Sequence, residues 1–302
     1  MISRRRMISI LAGGAALPLF GGAAFGDVKS WQGVALGANA KIVLDHPDAD
    51  ALIELALLEV SRLENIFSLY KSGSEILQLN ALGFLTAPSI EFVELLNLSD
   101  QINRVTGGIF DPTVQPLWAL YAEESSAGRS PTIAQISSVR ESTGWQHLSY
   151  SLDEIRFNKT GMALTLNGIA QGFIADKVAA LLRKNGVKNV LVNTGEINAL
   201  GHAPDGQAWD VGIANKPEKI ALSNQAIATS APSGTLFGNG NVGHILNPLT
   251  GGSEARWDQL SVIDKSAARA DGLSTAFCLM TKEQILNVDG AHQILFGAPV
   301  ST

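Results

Sequence analysis

The sequence predicts an α+β fold, a single domain whose helices pack on mixed or antiparallel sheets. Three observations lead there. Apolar residues at positions 52, 55, 56, 60, 63 and 67 recur at helical spacing. Short apolar runs broken by Gly, Pro and Asn fill the stretch from 199 to 241. Helices and strands follow one another without the regular βαβ rhythm of a parallel sheet. With 302 residues, 46% hydrophobic and 17% charged, the chain has ample material for a core.

The first 26 residues belong to targeting rather than to the fold. Ser3-Arg4-Arg5-Arg6-Met7-Ile8 is a twin-arginine pattern, followed by an apolar stretch over 10–20. That stretch has about ten apolar residues, short of the roughly 20 a membrane-spanning helix needs. Small residues at 21–26 place cleavage near Gly26 and Asp27. Residues 1–26 thus read as a Tat signal peptide, 27–302 as the mature domain, and the destination as the periplasm, with no stable transmembrane segment after cleavage.

Along the mature chain, Val34 to Leu44 reads as a strand interrupted by Gly37. Asp48 to Phe67 reads as a helix. Ser89 to Thr106 is a second helix, with Ser89 as N-cap and Gly107-Gly108 as its stop. Ser130-Pro131 opens a third helix running to about Thr143. Strand signals follow at Glu154–Asn158 and Met162–Leu166, then a helix from Ala170 to Lys184 ending at Gly186. Asn189–Asn193, Trp209–Ala214, Lys219–Leu222 and Ala226–Thr229 read as short strands. Finally, a strand beginning at Ser261 feeds a helix that carries Asp271 and Thr275.

Composition narrows the chemistry. Removing residues 1–26 takes away three Arg and no acid, leaving 19 basic against 28 acidic residues and a net charge of −9 with His neutral. No basic stripe is present to neutralise nucleic-acid phosphates. A bound pyrophosphate would need a local cation. The single cysteine, Cys278, lies in the apolar run Ala276–Met280 and reads as a buried hydrophobe. No GxGxxG after a strand, P-loop, HExxH or CxxC occurs, which disfavours a Rossmann or zinc enzyme.

Two segments carry the most chemistry. Residues 162–176 form an apolar run that breaks at Asn167-Gly168 into a helix. Residues 261–278 run from strand to helix, with Asp271 and Thr275 four apart and hence on one helical face. A carboxylate and a hydroxyl so placed are hard oxygen ligands suited to Mg²⁺, which keeps few protein ligands and shares itself with phosphates. An Asp inside a helix is otherwise unfavourable. Elsewhere, Gly107-Gly108-Ile109-Phe110-Asp111-Pro112-Thr113 gives a rigid loop suited to a planar ligand. His244 lies in His244-Ile245-Leu246-Asn247-Pro248-Leu249-Thr250-Gly251, alone among five histidines in having such a motif.

Together, and in this order, these segments resemble the FAD:protein FMN transferases, the ApbE-like flavin transferases. The resemblance implies a metal site of Asp271, Thr275 and the Gly168 carbonyl, with FAD as substrate. It implies flavin or adenosine contact at Ile109, Phe110 and Asp111, and makes Tyr70, in Tyr70-Lys71-Ser72-Gly73-Ser74-Glu75, the ring for stacking on isoalloxazine. Thr229-Ser230 and His244-Ile245 match segments lining the family's site. Helix amides near Ala170 would face phosphate, and Leu164 and Leu166 would form an apolar wall. The chain departs from the family pattern at Thr165 (an Asp in the family), Gln171 (a Lys) and Asn247 (an Asp). Thr165 and Gln171 still stand as flavin-nucleotide contacts, and a Gln there leans binding toward the metal. Glu196 is a group supporting the site or a cap.

The implied activity is Mg²⁺-dependent transfer of FMN from FAD to a Thr or Ser hydroxyl of a client flavoprotein, releasing AMP. Asp271 and His244 are the catalytic candidates. The Asn167–Gly172 and Thr194–Glu196 variants resemble the NosX-like branch linked to nitrous-oxide reductase maturation, whose client is a membrane electron-transfer flavoprotein. Two alternatives stay open: a carrier that binds FAD without transferring it, and an FAD pyrophosphatase that uses water as acceptor.

Overall fold

The computed structural model describes residues 28–300 except 36, 215, 216, 218, 239, 241, 291 and 292; the twin-arginine segment lies outside them. The described chain opens with a hairpin, β1 (Val28–Ala35) and β2 (Ala38–Asp45), paired from Val28↔Asp45 to Ala35↔Ala38. The run from Val34 to Leu44 is therefore two strands, with the turn at Gly37. Helix α1 (Ala49–Phe67) follows the expected stripe, burying Leu52, Ala56, Val60, Leu63 and Phe67. Helix α2 (Glu75–Leu82), capped by Ser74, leads to β3 (Phe84–Thr86) and α3 (Ile90–Val105).

Two helices then form one wall: α4 (Gln115–Ser126) and α5 (Ile133–Arg140). The third expected helix starts two residues late because Thr132, not Ser130, makes a capping box with Gln135. Strands β4 (Leu148–Tyr150) and β5 (Glu154–Phe157) join β3 in a small sheet. The expected strand at Met162–Leu166 is absent. The amide of Leu164 donates to Asn80 Oδ1 and that of Thr165 to the Pro112 carbonyl, so no neighbouring strand is paired.

Helix α6 (Ala170–Lys184) has the predicted bounds. The chain continues through β6 (Val190–Asn193), β7 (Ile197–Leu200), β8 (Trp209–Gly212), β9 (Lys219–Leu222), β10 (Gln225–Ser230), β11 (Leu236–Phe237), β12 (Val242–Gly243) and β13 (Leu260–Asp264). It closes with α7 (Ala267–Phe277), α8 (Lys282–Leu286) and β14 (Gln293–Phe296).

Among the described residues seven strands form one antiparallel sheet in the order β1-β2-β6-β7-β10-β13-β14, so β1 and β14 share a layer. Both faces of that sheet are covered. Ile42, Leu44, Val190, Val192, Ala228 and Val262 point to the helices α1, α6 and α7. Their neighbours Val43, Leu191, Ile227 and Ile263 point the other way, onto Trp209, Val211 and Leu222 of the β8–β9 pair. Double burial is why these strands read as apolar runs. Each such side chain contributes on the order of 1.5–3 kcal/mol when fully removed from water. A smaller cluster of Leu117, Tyr121, Phe237 and Leu246 lies apart from both.

Candidate active site

The site is built where α6 and α7 meet. A Cβ at Gly172 would stand 2.2 Å from the Ala267 carbonyl oxygen, so only glycine lets the two helices approach this closely. Asp176, one turn further along α6, caps α7 from the side. Its carboxylate accepts from the Ser266 hydroxyl (2.7 Å) and from the Ala267 (2.8 Å) and Ala268 (3.1 Å) amides. These contacts fix the face of α7 that carries Asp271 and Thr275.

Asp271 is buried, 3% exposed, and its Oδ2 accepts the Gly172 amide at 3.0 Å. The structure brings Gly168 to the same point: its carbonyl lies 3.4 Å from Thr275 Oγ1, which also meets the Ser230 hydroxyl at 3.3 Å. Burial pushes the Asp271 carboxyl up to about 7, against the Gly172 hydrogen bond, and the Asp176 charge adds to the rise. Glu196 joins from the β6–β7 turn. Its Oε2 accepts the Thr229 amide at 3.0 Å. Burial and then the Asp271 charge push it well above the ordinary carboxylate range.

These groups stand in a cleft of about 730 Å³ lined by the predicted catalytic, metal and flavin-nucleotide residues. Asp111, Glu196 and Asp271 contribute carboxylates to the lining; among the described residues, no Lys or Arg does. Nor do three or more His, Cys, Asp or Glu side chains of the described residues converge on one point. The donor set at Asp271 is instead a carboxylate, a hydroxyl and a backbone carbonyl.

The first turn of α6 differs from expectation. The amides of Ala170, Gly172 and Phe173 are engaged by the Leu166 carbonyl, Asp271 Oδ2 and the Ile169 carbonyl. The Gly172 amide orients the carboxylate, and these three amides are not open to phosphate. Leu164 and Leu166 are also not a cleft wall. Both are buried in the main core, while Ala163, Thr165 and Asn167 face the cleft.

The ApbE family model matches residues 36–294. The chain belongs to the ApbE family. A protein of Vibrio cholerae named FAD:protein FMN transferase is 31% identical over 243 residues, covering 75% of this chain and 72% of the relative. The solved Pseudomonas stutzeri flavinyl transferase ApbE, apo form, is 28% identical with a TM-score of 0.77, covering 92% of this chain and 97% of its own. The Vibrio cholerae flavin transferase ApbE gives a TM-score of 0.78 at 26% identity, covering 89% and 93%. The α+β reading stands as the ApbE fold.

Within this ApbE fold the remaining site residues take distinct positions. Tyr70 is half-exposed at the cleft rim, on the same lining as Asn167. Ile109 packs at the edge of the core and Phe110 is buried with its ring against Gly272. Asp111 serves its own loop: it accepts from the Thr113 amide and hydroxyl and from the Trp145 amide. Thr165 Oγ1 accepts the Asn167 amide. Thr229 Oγ1 pairs with the Ser261 hydroxyl and Ser230 Oγ with that of Ser274, both at 2.8 Å.

Gln171 is the departure with the clearest consequence. Its carboxamide fills the space a Cβ at Gly195 (φ 110°) would take, and its Nε2 is buried with no hydrogen-bond partner. An orphaned donor at a cleft is a group shaped for a ligand acceptor. His244 Nδ1 lies 3.2 Å from the Pro232 carbonyl, which can only accept; Nδ1 therefore donates and Nε2 is the basic nitrogen. Burial holds this imidazole below its usual pKa, hence neutral at pH 7. Asn247 closes its own turn, accepting the Leu249 amide and donating to Glu254. Sequence reasoning left Asp176 without a role and Glu196 between supporting the site and capping. Only their partners in space, Asp271 and the α7 amides, reveal them.

Proposed function

We propose that this enzyme transfers FMN from FAD to a Ser or Thr hydroxyl of a client flavoprotein with the help of a divalent cation, Mg²⁺ being the natural fit. The observation carrying this reading is a cleft large enough for a dinucleotide whose charged lining is acidic. With Glu196 and Asp271 ionised, a pyrophosphate there would face like charge, which a cation between them would screen. The hard oxygens of Asp271, Thr275 and Gly168 suit Mg²⁺, which when bound would neutralise charge on the phosphates and on departing AMP.

The chain's own groups supply the rest. Gly172 holds the Asp271 carboxylate, and Gln171 Nε2 offers a neutral donor to a phosphate or flavin acceptor. His244 Nε2 accepts the proton as the client oxygen bonds to the FMN phosphorus and the bond to the AMP phosphate oxygen breaks. Tyr70 and Phe110 border the flavin. The twin-arginine start supports export to the periplasm, and no helix among the described residues is long and apolar enough to cross a membrane. The client would be a membrane electron-transfer flavoprotein of nitrous-oxide reduction, on the strength of the Asn167–Gly172 and Thr194–Glu196 variants.

Calorimetric titration of FAD into the full chain, with Mg²⁺ and with EDTA, tests the reading. Binding at least about tenfold tighter with Mg²⁺, or a difference of about 1.4 kcal/mol, is expected. Equal affinity in both would contradict it and favour a carrier.

A further inference from the structure

We propose that Phe237 is a positioning residue for His244, a latch that seats the β11–β12 hairpin on α4. The proposal rests on the reading of His244 as the proton acceptor. The hairpin pairs at Leu236↔Gly243 and Phe237↔Val242, and a ribbon this short has little stability of its own. His244 grows directly out of it. Its amide donates to the Thr235 carbonyl at 3.0 Å, and its imidazole leans on the Pro232 carbonyl. The ring direction is thus set by the loop from 231 to 237, which carries Pro232 and Thr235.

That loop is held from outside the main core. Strand alternation turns Leu236 to solvent, 47% exposed, and Phe237 inward, 5% exposed. The Phe237 ring meets Trp118 edge-on at 5.3 Å and Tyr121 at 5.7 Å. The next amide, Gly238, donates to Ser125 Oγ at 2.7 Å. Phe237 belongs with Leu117, Tyr121 and Leu246 to the small cluster that is separate from the two cores flanking the sheet. Removing its ring therefore loosens the loop while the sheet and the α6–α7 pair keep their packing. Ile245, in the main core, still fixes where the chain passes. What Phe237 adds is the direction of the imidazole.

The test compares the full wild-type chain with Phe237→Ala, Phe237→Leu, His244→Ala and the double variant Phe237→Ala/His244→Ala. FMN transfer to a client and hydrogen exchange of the segment 235–244 are both followed. In Phe237→Ala, kcat should fall by about tenfold or more while KM for FAD moves less than about threefold. Phe237→Leu, which keeps an apolar plug, should recover most of kcat and serves in place of the Ala variant should that one not fold. The double variant should be no slower than His244→Ala, because the latch acts only through that imidazole. Exchange at 235–244 should quicken in Phe237→Ala with β6 and β13 unchanged. Wild-type kcat in Phe237→Ala, additive losses in the double variant, or unchanged exchange would each overturn the latch. His244→Ala with wild-type kcat would overturn the role of His244 instead. A wild-type chain with no transfer would overturn the functional reading, and exchange alone would then decide whether Phe237 holds the hairpin.

Discussion

Replacing Gly172 by Ala tests the helix contact on which the site is built. In an isolated helix this change is favourable by about 1 kcal/mol, since glycine is a poor helix former. Here the new Cβ would stand 2.2 Å from the Ala267 carbonyl oxygen, 2.5 Å from its carbon and 2.7 Å from the Ala268 nitrogen. All three are backbone atoms that no rotamer change can move. Overpacking costs about 1–3 kcal/mol where side chains can adjust, so the upper end applies. The shift also disturbs the Gly172 hydrogen bond to Asp271 Oδ2, and bonds to a charged group contribute about 1.5–3 kcal/mol. The net expectation is a loss of about 3.5–5 kcal/mol, which for a domain of this size lowers Tm by roughly 8–15 °C. Thermal and urea unfolding of the metal-free full chain measure it directly. A Gly172→Ala variant as stable as wild type, or more so, would mean that helix propensity outweighs the contact and that α6 and α7 are not held as described.

Other expectations follow from the same geometry. Asp271→Asn should lower turnover by at least about a hundredfold, in the range seen for a lost electrostatic stabiliser, while unfolding at neutral pH stays equal or improves because a buried charge is gone. The Asp271 carboxyl titrates at about 7 in the fold and near 3.9 unfolded. The folded chain therefore binds the extra proton between those values, and metal-free stability should fall as pH rises from about 4 to 7, then level off. The Asp271 share is at most about 4 kcal/mol, Glu196 adds a fall in the same direction, and the slope should be reduced in Asp271→Asn, with unfolding midpoints across pH as the readout. Stabilisation by Mg²⁺ should accordingly be larger at pH 8 than at pH 5 in a thermal-shift series. His244→Gln removes the basic Nε2, so kcat should drop about 10²–10⁴-fold with FAD affinity by calorimetry nearly unchanged.

Much of this architecture is legible in local spacing. The Asp271–Thr275 pair, the bounds of α6 and the stripe of α1 all depend on residues within one or two turns. The misread elements depend on partners far along the chain. Met162–Leu166 looks like a strand, but its polar groups are taken by Asn80 and Pro112, a pairing that no periodicity encodes. Helix amides near Ala170 look open for phosphate until Asp271, 99 positions away, accepts one of them. Glu196 in a Thr-Gly-Glu turn is indistinguishable from a cap until the antiparallel pairing of β7 with β10 sets it under the Thr229 amide beside Asp271. Nothing local to Asp176 marks it as a cap, and only the close crossing of α6 and α7 makes it one.

The most direct test of the account mixes the full chain with FAD, Mg²⁺ and a client flavoprotein domain, then follows intact client mass and free AMP together. The expected product is a client heavier by one FMN, esterified at a Ser or Thr, with one AMP released per modified client. Both products should vanish with EDTA and in Asp271→Asn. AMP formed without client modification, or a client modified equally well in EDTA, would contradict it.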